Sequence, residues 1–100
     1  MPTSSAEFHD EATAEYESAF DRYLERSPDA ALGFDAEVDR ALGQVIAVPR
    51  RWAAGPHSTR RFLLRTFPFT LIYRERTSGN VQILAVAHTS RKPGYWKGRL

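Results

Sequence analysis

A chain of 100 residues, 42% hydrophobic and 12% aromatic, holds apolar material for one core and not for two. It therefore reads as a single domain over residues 1–100, and not as a disordered segment. The absence of cysteine excludes a disulfide framework and thiolate zinc sites. No apolar run approaches the roughly 18 residues of a membrane span. The start, MPTSSAEFHDE, lacks the basic and apolar regions of a signal peptide, so a cytoplasmic protein with no membrane contact is expected.

The net charge of +2 conceals a division. Residues 1–48 carry eleven acids against Arg22, Arg26 and Arg40, whereas residues 49–100 carry eleven bases against Glu75 alone, so the two parts sum to −8 and +10. Such a chain folds into a dipolar object whose basic side suits a polyanion or an acidic peptide. Twelve of the fourteen bases are arginine, which favours planar, bidentate contact with phosphate or carboxylate.

From Asp10 to about Arg26 the apolar residues Ala12, Tyr16, Ala19, Phe20, Tyr23 and Leu24 follow a helical period among acids and arginines. Ser27-Pro28-Asp29 restarts the chain, with Ser as N-cap, Pro at the first helical position and an acid in the first turn. A second helix follows, with Phe34, Val38, Ala41, Leu42, Val45 and Ile46 on one stripe and Pro49 ending it. So short a connection predicts an antiparallel helical hairpin. Residues 49–58, rich in Pro, Gly, Arg and Ala, read as a loop around Trp52, an aromatic plug over that hairpin.

After Thr59 the period changes to two, and Arg61, Leu63 and Arg65 fall on one strand face. Phe67-Pro68 marks a bend before a second alternating run from Phe69 to Arg76. Thr77-Ser78-Gly79-Asn80 reads as a hairpin turn. The run Val81–Ala87 is apolar nearly throughout, as a strand covered on both faces is. The fold class predicted is α+β: an N-terminal helical hairpin on one face of a small, mainly antiparallel sheet of three to four strands.

The segments RRFLLRTFPFTLIYRE and VQILAVAHTSRKPGYW, together with EFHDEA at the start and the Pro49/Trp52 pair after the second helix, resemble the RelE/ParE superfamily of bacterial type II toxin–antitoxin toxins. The resemblance spans about Glu7 to Trp96, and its ParE-like branch is the closer reading. It implies a toxin held inactive by a cognate antitoxin that wraps it, in a hetero-oligomeric complex. It also implies one of two targets: DNA gyrase, for ParE-like members, or mRNA on the ribosome, for members that are endoribonucleases. A non-toxic interaction domain that keeps the fold is a third alternative. Members usually open with a clear strand, whereas Met1 to Ala6 are rich in Pro, Thr and Ser, so a short first strand is expected.

Cleavage of RNA through its 2′-hydroxyl needs a base, an acid and cations around the phosphate. His88 is the candidate base and Tyr95 the candidate acid, should the chain be a nuclease. Arg61, Arg65, Arg91, Lys92 and Trp96 are the candidates for contact with phosphate or a partner protein. RelE-type nucleases place an Arg and a Tyr four residues apart after the last strand, and Arg91 and Tyr95 match that spacing. They also rely on lysines near the loop and early strand, and this chain has only Lys92 and Lys97, which weighs against cleavage. His9 and His57 have no neighbouring ligand at metal spacing, so neither a metal nor a cofactor is expected.

Overall fold

The computed structural model describes residues 6–76 and 79–100. A three-residue strand, β1 (Ala6–Phe8), leads at once into α1 (Asp10–Arg26). His9 starts that helix as its N-cap, its ring accepting the Glu11 N–H, and Asp10 and Glu11 place negative charge in the first turn. Ser27 ends α1 and starts α2 (Pro28–Ala47): its N–H bonds back to the Tyr23 carbonyl, and its side chain accepts the Ala30 N–H at 3.0 Å. One residue thus closes one helix and opens the next, which folds the pair into the expected hairpin.

After a single 3₁₀ turn at Pro49–Arg51 come β2 (Ala53–Ala54), β3 (Arg60–Leu63), β4 (Phe69–Glu75) and β5 (Val81–His88). Among the described residues the sheet has five strands in the order β1-β5-β4-β3-β2, antiparallel except where β1 runs parallel to β5. The α+β architecture is as predicted, but the strand count is five and not three to four. The additional strand comes from the segment read as a loop, where Ala53 and Ala54 pair with Arg61 and Arg60. Thr77 and Ser78, half of the predicted hairpin turn, lie outside the described residues. Around them, the Arg76 N–H reaches the Asn80 carbonyl at 2.6 Å and Gly79 holds φ 75°, a region that glycine enters without a Cβ penalty.

The core lies between the hairpin and one sheet face. Ala12 and Ala19 of α1 and Phe34, Val38, Ala41 and Val45 of α2 meet Phe69, Leu71, Tyr73, Val81, Ile83 and Val86. Phe34 packs against Tyr23, Phe67 and Phe69 at centroid distances of 5.3, 5.5 and 5.3 Å, an aromatic cluster at the strand-bend end of the sandwich. Trp52 packs edge-on to Phe62 at 4.6 Å along the same core, as an aromatic plug does. Tyr73 is fully buried; its hydroxyl donates to the Pro49 carbonyl at 2.6 Å, pinning the segment after α2 to the sheet, and burial pushes its pKa up to about 12.

The sheet's second face carries a smaller core. A bulge shifts the β4–β5 register between Ile72, opposite Ala85, and Tyr73, opposite Ile83, which leaves Leu84 as the extra residue. Ile72, Leu84, Ala85 and Ala87 are covered there by Trp96, with Tyr95 packed beside it. β5 is therefore buried on both faces, as its nearly continuous apolar run predicts, with helices over one face and the C-terminal segment over the other.

Arg65 is a correction. It does not share a strand face with Arg61, because β3 ends at Leu63 and the chain turns away. Glu37 of α2, with only 8% of its surface exposed, captures that turn by accepting the Thr66 N–H at 2.7 Å. Burial pushes the Glu37 carboxyl upward, but hydrogen bonds from Thr66, Arg65 and Phe67 outweigh it and hold the group below its ordinary value. Glu37→Ala leaves those donors without an acceptor, and a loss of about 2 kcal/mol is expected as a lowered denaturant midpoint at unchanged slope.

Candidate functional site

At the end of β5 the chain turns at Thr89 and Ser90 and doubles back across the sheet, and the candidate residues gather around that turn. Two clefts meet there. One, of about 260 Å³, opens on the sheet's second face and brings together Arg61, His88, Arg91, Lys92, Tyr95 and Trp96. The other, of about 650 Å³, lies between α1 and the strand end and is lined in part by Glu15, Arg22, His88, Arg91 and Arg99. His88 and Arg91 belong to both.

Six of the seven residues singled out from sequence thus converge, and Arg65, past the end of β3, does not. Arg61 reaches the cleft because it pairs with Ile72 in the β3–β4 ladder and so points to the second face. Arg91 is exposed and sits over the Tyr95 ring, its guanidinium carbon 3.8 Å from the centroid. Gly94 turns the chain at φ 74°, where a Cβ would come within 2.9 Å of the Lys97 side chain, and so brings Tyr95 and Trp96 back onto the sheet. Trp96 is only 5% exposed against Ile72, Leu84, Ala85 and Ala87, so its indole is a wall of the cleft and not a platform for a base.

The two residues of the nuclease pair are both engaged internally. The Ser90 N–H donates to His88 Nδ1 at 3.0 Å, and the Ser90 hydroxyl lies 2.7 Å from the same nitrogen. A neutral imidazole whose Nδ1 accepts carries its proton on Nε2, so what His88 offers a ligand is a donor and not a basic lone pair. The Tyr95 hydroxyl donates to Glu15 Oε2 at 2.7 Å. Burial first, then that carboxylate, hold the Tyr95 pKa well above the ordinary phenol value.

Glu15 and Arg99, which sequence reasoning passed over, organise this region. Arg99 bonds both Glu15 oxygens at 2.9 Å, and its Nη1 also donates to the Leu84 carbonyl at 2.9 Å. Glu15 accepts the Val86 N–H at 3.0 Å as well. β1 pairs with β5 only from Val81 to Ile83, so these side chains satisfy backbone groups along the stretch of β5 beyond it. Burial pushes Glu15 upward, but Arg99, Tyr95 and the Val86 N–H outweigh it and hold the carboxylate below its usual range. The signal was present in the sequence: Glu15 lies three residues after Ala12 and four before Ala19, on the stripe that faces the core. Among the described residues no group of three or more His, Cys, Asp or Glu side chains is placed to hold a metal, and no helix is long and apolar enough to cross a membrane.

Comparison with known proteins addresses the family. No curated protein matches the chain. A solved chain from a structure described as the chromosomal ParDE TA system from P. aeruginosa superposes with a TM-score of 0.72 at 21% identity, covering 86% of this chain and 96% of that one, which establishes a shared fold. The family model for the ParE toxin of the type II toxin–antitoxin system parDE matches residues 6–93, from β1 through the turn that carries His88 and Arg91. The hairpin, the sheet and the turn are thus all inside the match, and the chain belongs to the ParE toxin family.

Proposed function

We propose that this ParE-family toxin inhibits growth by binding a target such as DNA gyrase through the cationic cleft of Arg61, Arg91 and Lys92, and that a cognate antitoxin neutralises it in a hetero-oligomeric complex. The observation that carries the reading is the engagement of both catalytic candidates. The Tyr95 proton is held by Glu15 and the His88 lone pair by Ser90, whereas Arg61, Arg91 and Lys92 remain exposed. A binding surface needs only those cations; 2′-hydroxyl chemistry needs the base and the acid as well. The adjacent exposed Leu63 gives an antitoxin with acidic and apolar side chains something to bury, and such a segment folds on contact.

Expression in growing bacteria separates this from the ribosome-dependent endoribonuclease reading. Arrested replication, a DNA-damage response and intact mRNA are expected; codon-phased mRNA cuts would support the nuclease instead. Tyr95→Phe sharpens the comparison. It removes one hydrogen bond to Glu15, so toxicity is expected to change by no more than about threefold, where loss of a general acid costs on the order of 100-fold or more. No effect of the wild-type chain on growth would favour a non-toxic interaction domain.

A further inference from the structure

Arg22 and Arg26 stand one turn apart on α1 and are two of the three bases among residues 1–48. Like charges at that spacing repel, so the pair costs the helix stability. Arg26, in the last turn, offsets the helix dipole in return; Arg22, a turn earlier, has no such role. Both are exposed, and among the described residues neither side chain makes an ion pair or a hydrogen bond. What they share is a notch of about 170 Å³ between α1 and the end of β5, lined by Arg22, Tyr23, Arg26, Phe69 and His88.

The charged and imidazole groups of this notch are all donors. His88 lies edge-on to Phe69 at 5.2 Å and its Nδ1 is taken by Ser90, which leaves the Nε2 proton to give. Among the described residues no carboxylate lines the notch. It shares Arg22, Phe69 and His88 with the cleft of about 650 Å³, whose acids are Glu11 and Glu15. Glu15 is occupied by Arg99, Tyr95 and the Val86 N–H, and Glu11 lies 3.5 Å from Arg99, so both acids face partners of their own.

One arginine fork satisfies a carboxylate. Two guanidinium groups on a helix and an N–H from a strand end match a phosphoryl group, whose oxygens point in several directions. We propose that the notch is a phosphate-binding site, with Arg22, Arg26 and His88 Nε2 donating to the phosphate oxygens. The adjoining cleft, within the size range of small-ligand pockets, holds what carries the phosphate: a nucleotide or a stretch of nucleic acid. None of the three donors belongs to the cations assigned to the target above, so either proposal can fail while the other stands.

Isothermal titration calorimetry of the full chain, at low and constant ionic strength, tests the site. The probes are inorganic phosphate, acetate, adenosine monophosphate and a short oligothymidylate without terminal phosphates. Phosphate is expected to bind saturably and several-fold more tightly than acetate, with the better organic probe reaching a Kd of about 1 mM or below. Adenosine monophosphate as the tightest probe assigns the phosphate to a small molecule; oligothymidylate as the tightest assigns it to a nucleic-acid backbone. Either result supports the site. Arg22→Gln with Arg26→Gln is expected to weaken the tightest probe by about tenfold or more, and His88→Ala by about threefold. Arg40→Gln with Arg51→Gln removes two exposed charges elsewhere and should change binding by less than about twofold. Circular dichroism should show every variant folded. The proposal is overturned by phosphate binding no tighter than acetate, or by neither organic probe exceeding phosphate. It is equally overturned by notch variants that bind like the wild type, or by an equal loss in the Arg40 and Arg51 pair.

Discussion

Glu15→Ala is expected to lower stability by about 3 kcal/mol, which for a domain of this size corresponds to a fall in Tm of about 15 °C. The Arg99 side chain is 9% exposed and that of Glu15 17% exposed, so the substitution leaves a buried guanidinium facing the vacancy. Glu11, 3.5 Å from Arg99 Nε and itself largely exposed, is a poor replacement. The Val86 N–H and the Tyr95 hydroxyl lose their acceptor in the same step. Two elements loosen together, because Glu15 on α1 joins the edge of β5 to the C-terminal segment. Thermal unfolding with hydrogen exchange checks this, and the Leu84–Val86 amides and the tail should lose protection first.

The same carboxylate sets a pH dependence. Its folded pKa lies below the unfolded value, so its contribution is complete above about pH 4.3 and is lost as pH falls through the folded value. Glu37 is depressed too and acts with the same sign. Stability should therefore decline on acidification below about pH 4, and less steeply in Glu15→Gln, which has no proton to gain there.

Reversing two charges in the cleft, Arg61→Glu with Arg91→Glu, is expected to weaken growth inhibition by about 100-fold or more while the protein stays folded. Both side chains are exposed, and within the fold the pair of substitutions mainly removes the stacking of Arg91 on the Tyr95 ring, worth about 1 kcal/mol or less at such a site. Arg65→Glu is the matched control for Arg61→Glu alone: it carries the same change of charge outside the cleft, and its effect should be several-fold smaller. Equal effects at Arg65 and Arg61 would mean that net charge, and not the cleft, governs activity. Trp96→Ala tests nothing comparable, because removing a wall of the second core acts through the fold.

What the sequence discloses here is mostly local. Ser27-Pro28 carries its own capping chemistry, so the hinge between helices was legible to the residue. The apolar run of β5 announced cover on both faces, and Trp96 is that cover. What escaped depends on partners far away in the chain. Ala53 and Ala54 have no strand-like pattern and become a strand only because β3 offers them an edge. Arg65 continues the alternation perfectly well as text, and leaves the strand because Glu37, 29 positions from Thr66, holds the turn. The turn after β3 and the engagement of Tyr95 each trace to a carboxylate on a buried helical stripe: Glu37 lies between Phe34 and Ala41 as Glu15 lies between Ala12 and Ala19. An acid at such a position has to find donors, and here Glu37 finds the turn after β3 while Glu15 finds β5 and the C-terminal segment.

The central claim is that this cleft binds and does not cleave, and DNA supercoiling by purified gyrase tests it most directly. The wild-type toxin is expected to inhibit supercoiling, Tyr95→Phe to inhibit it nearly as well, and Arg61→Glu with Arg91→Glu to fail. Gyrase unaffected by the wild-type chain, together with mRNA cleavage on ribosomes that disappears in Tyr95→Phe, would contradict it.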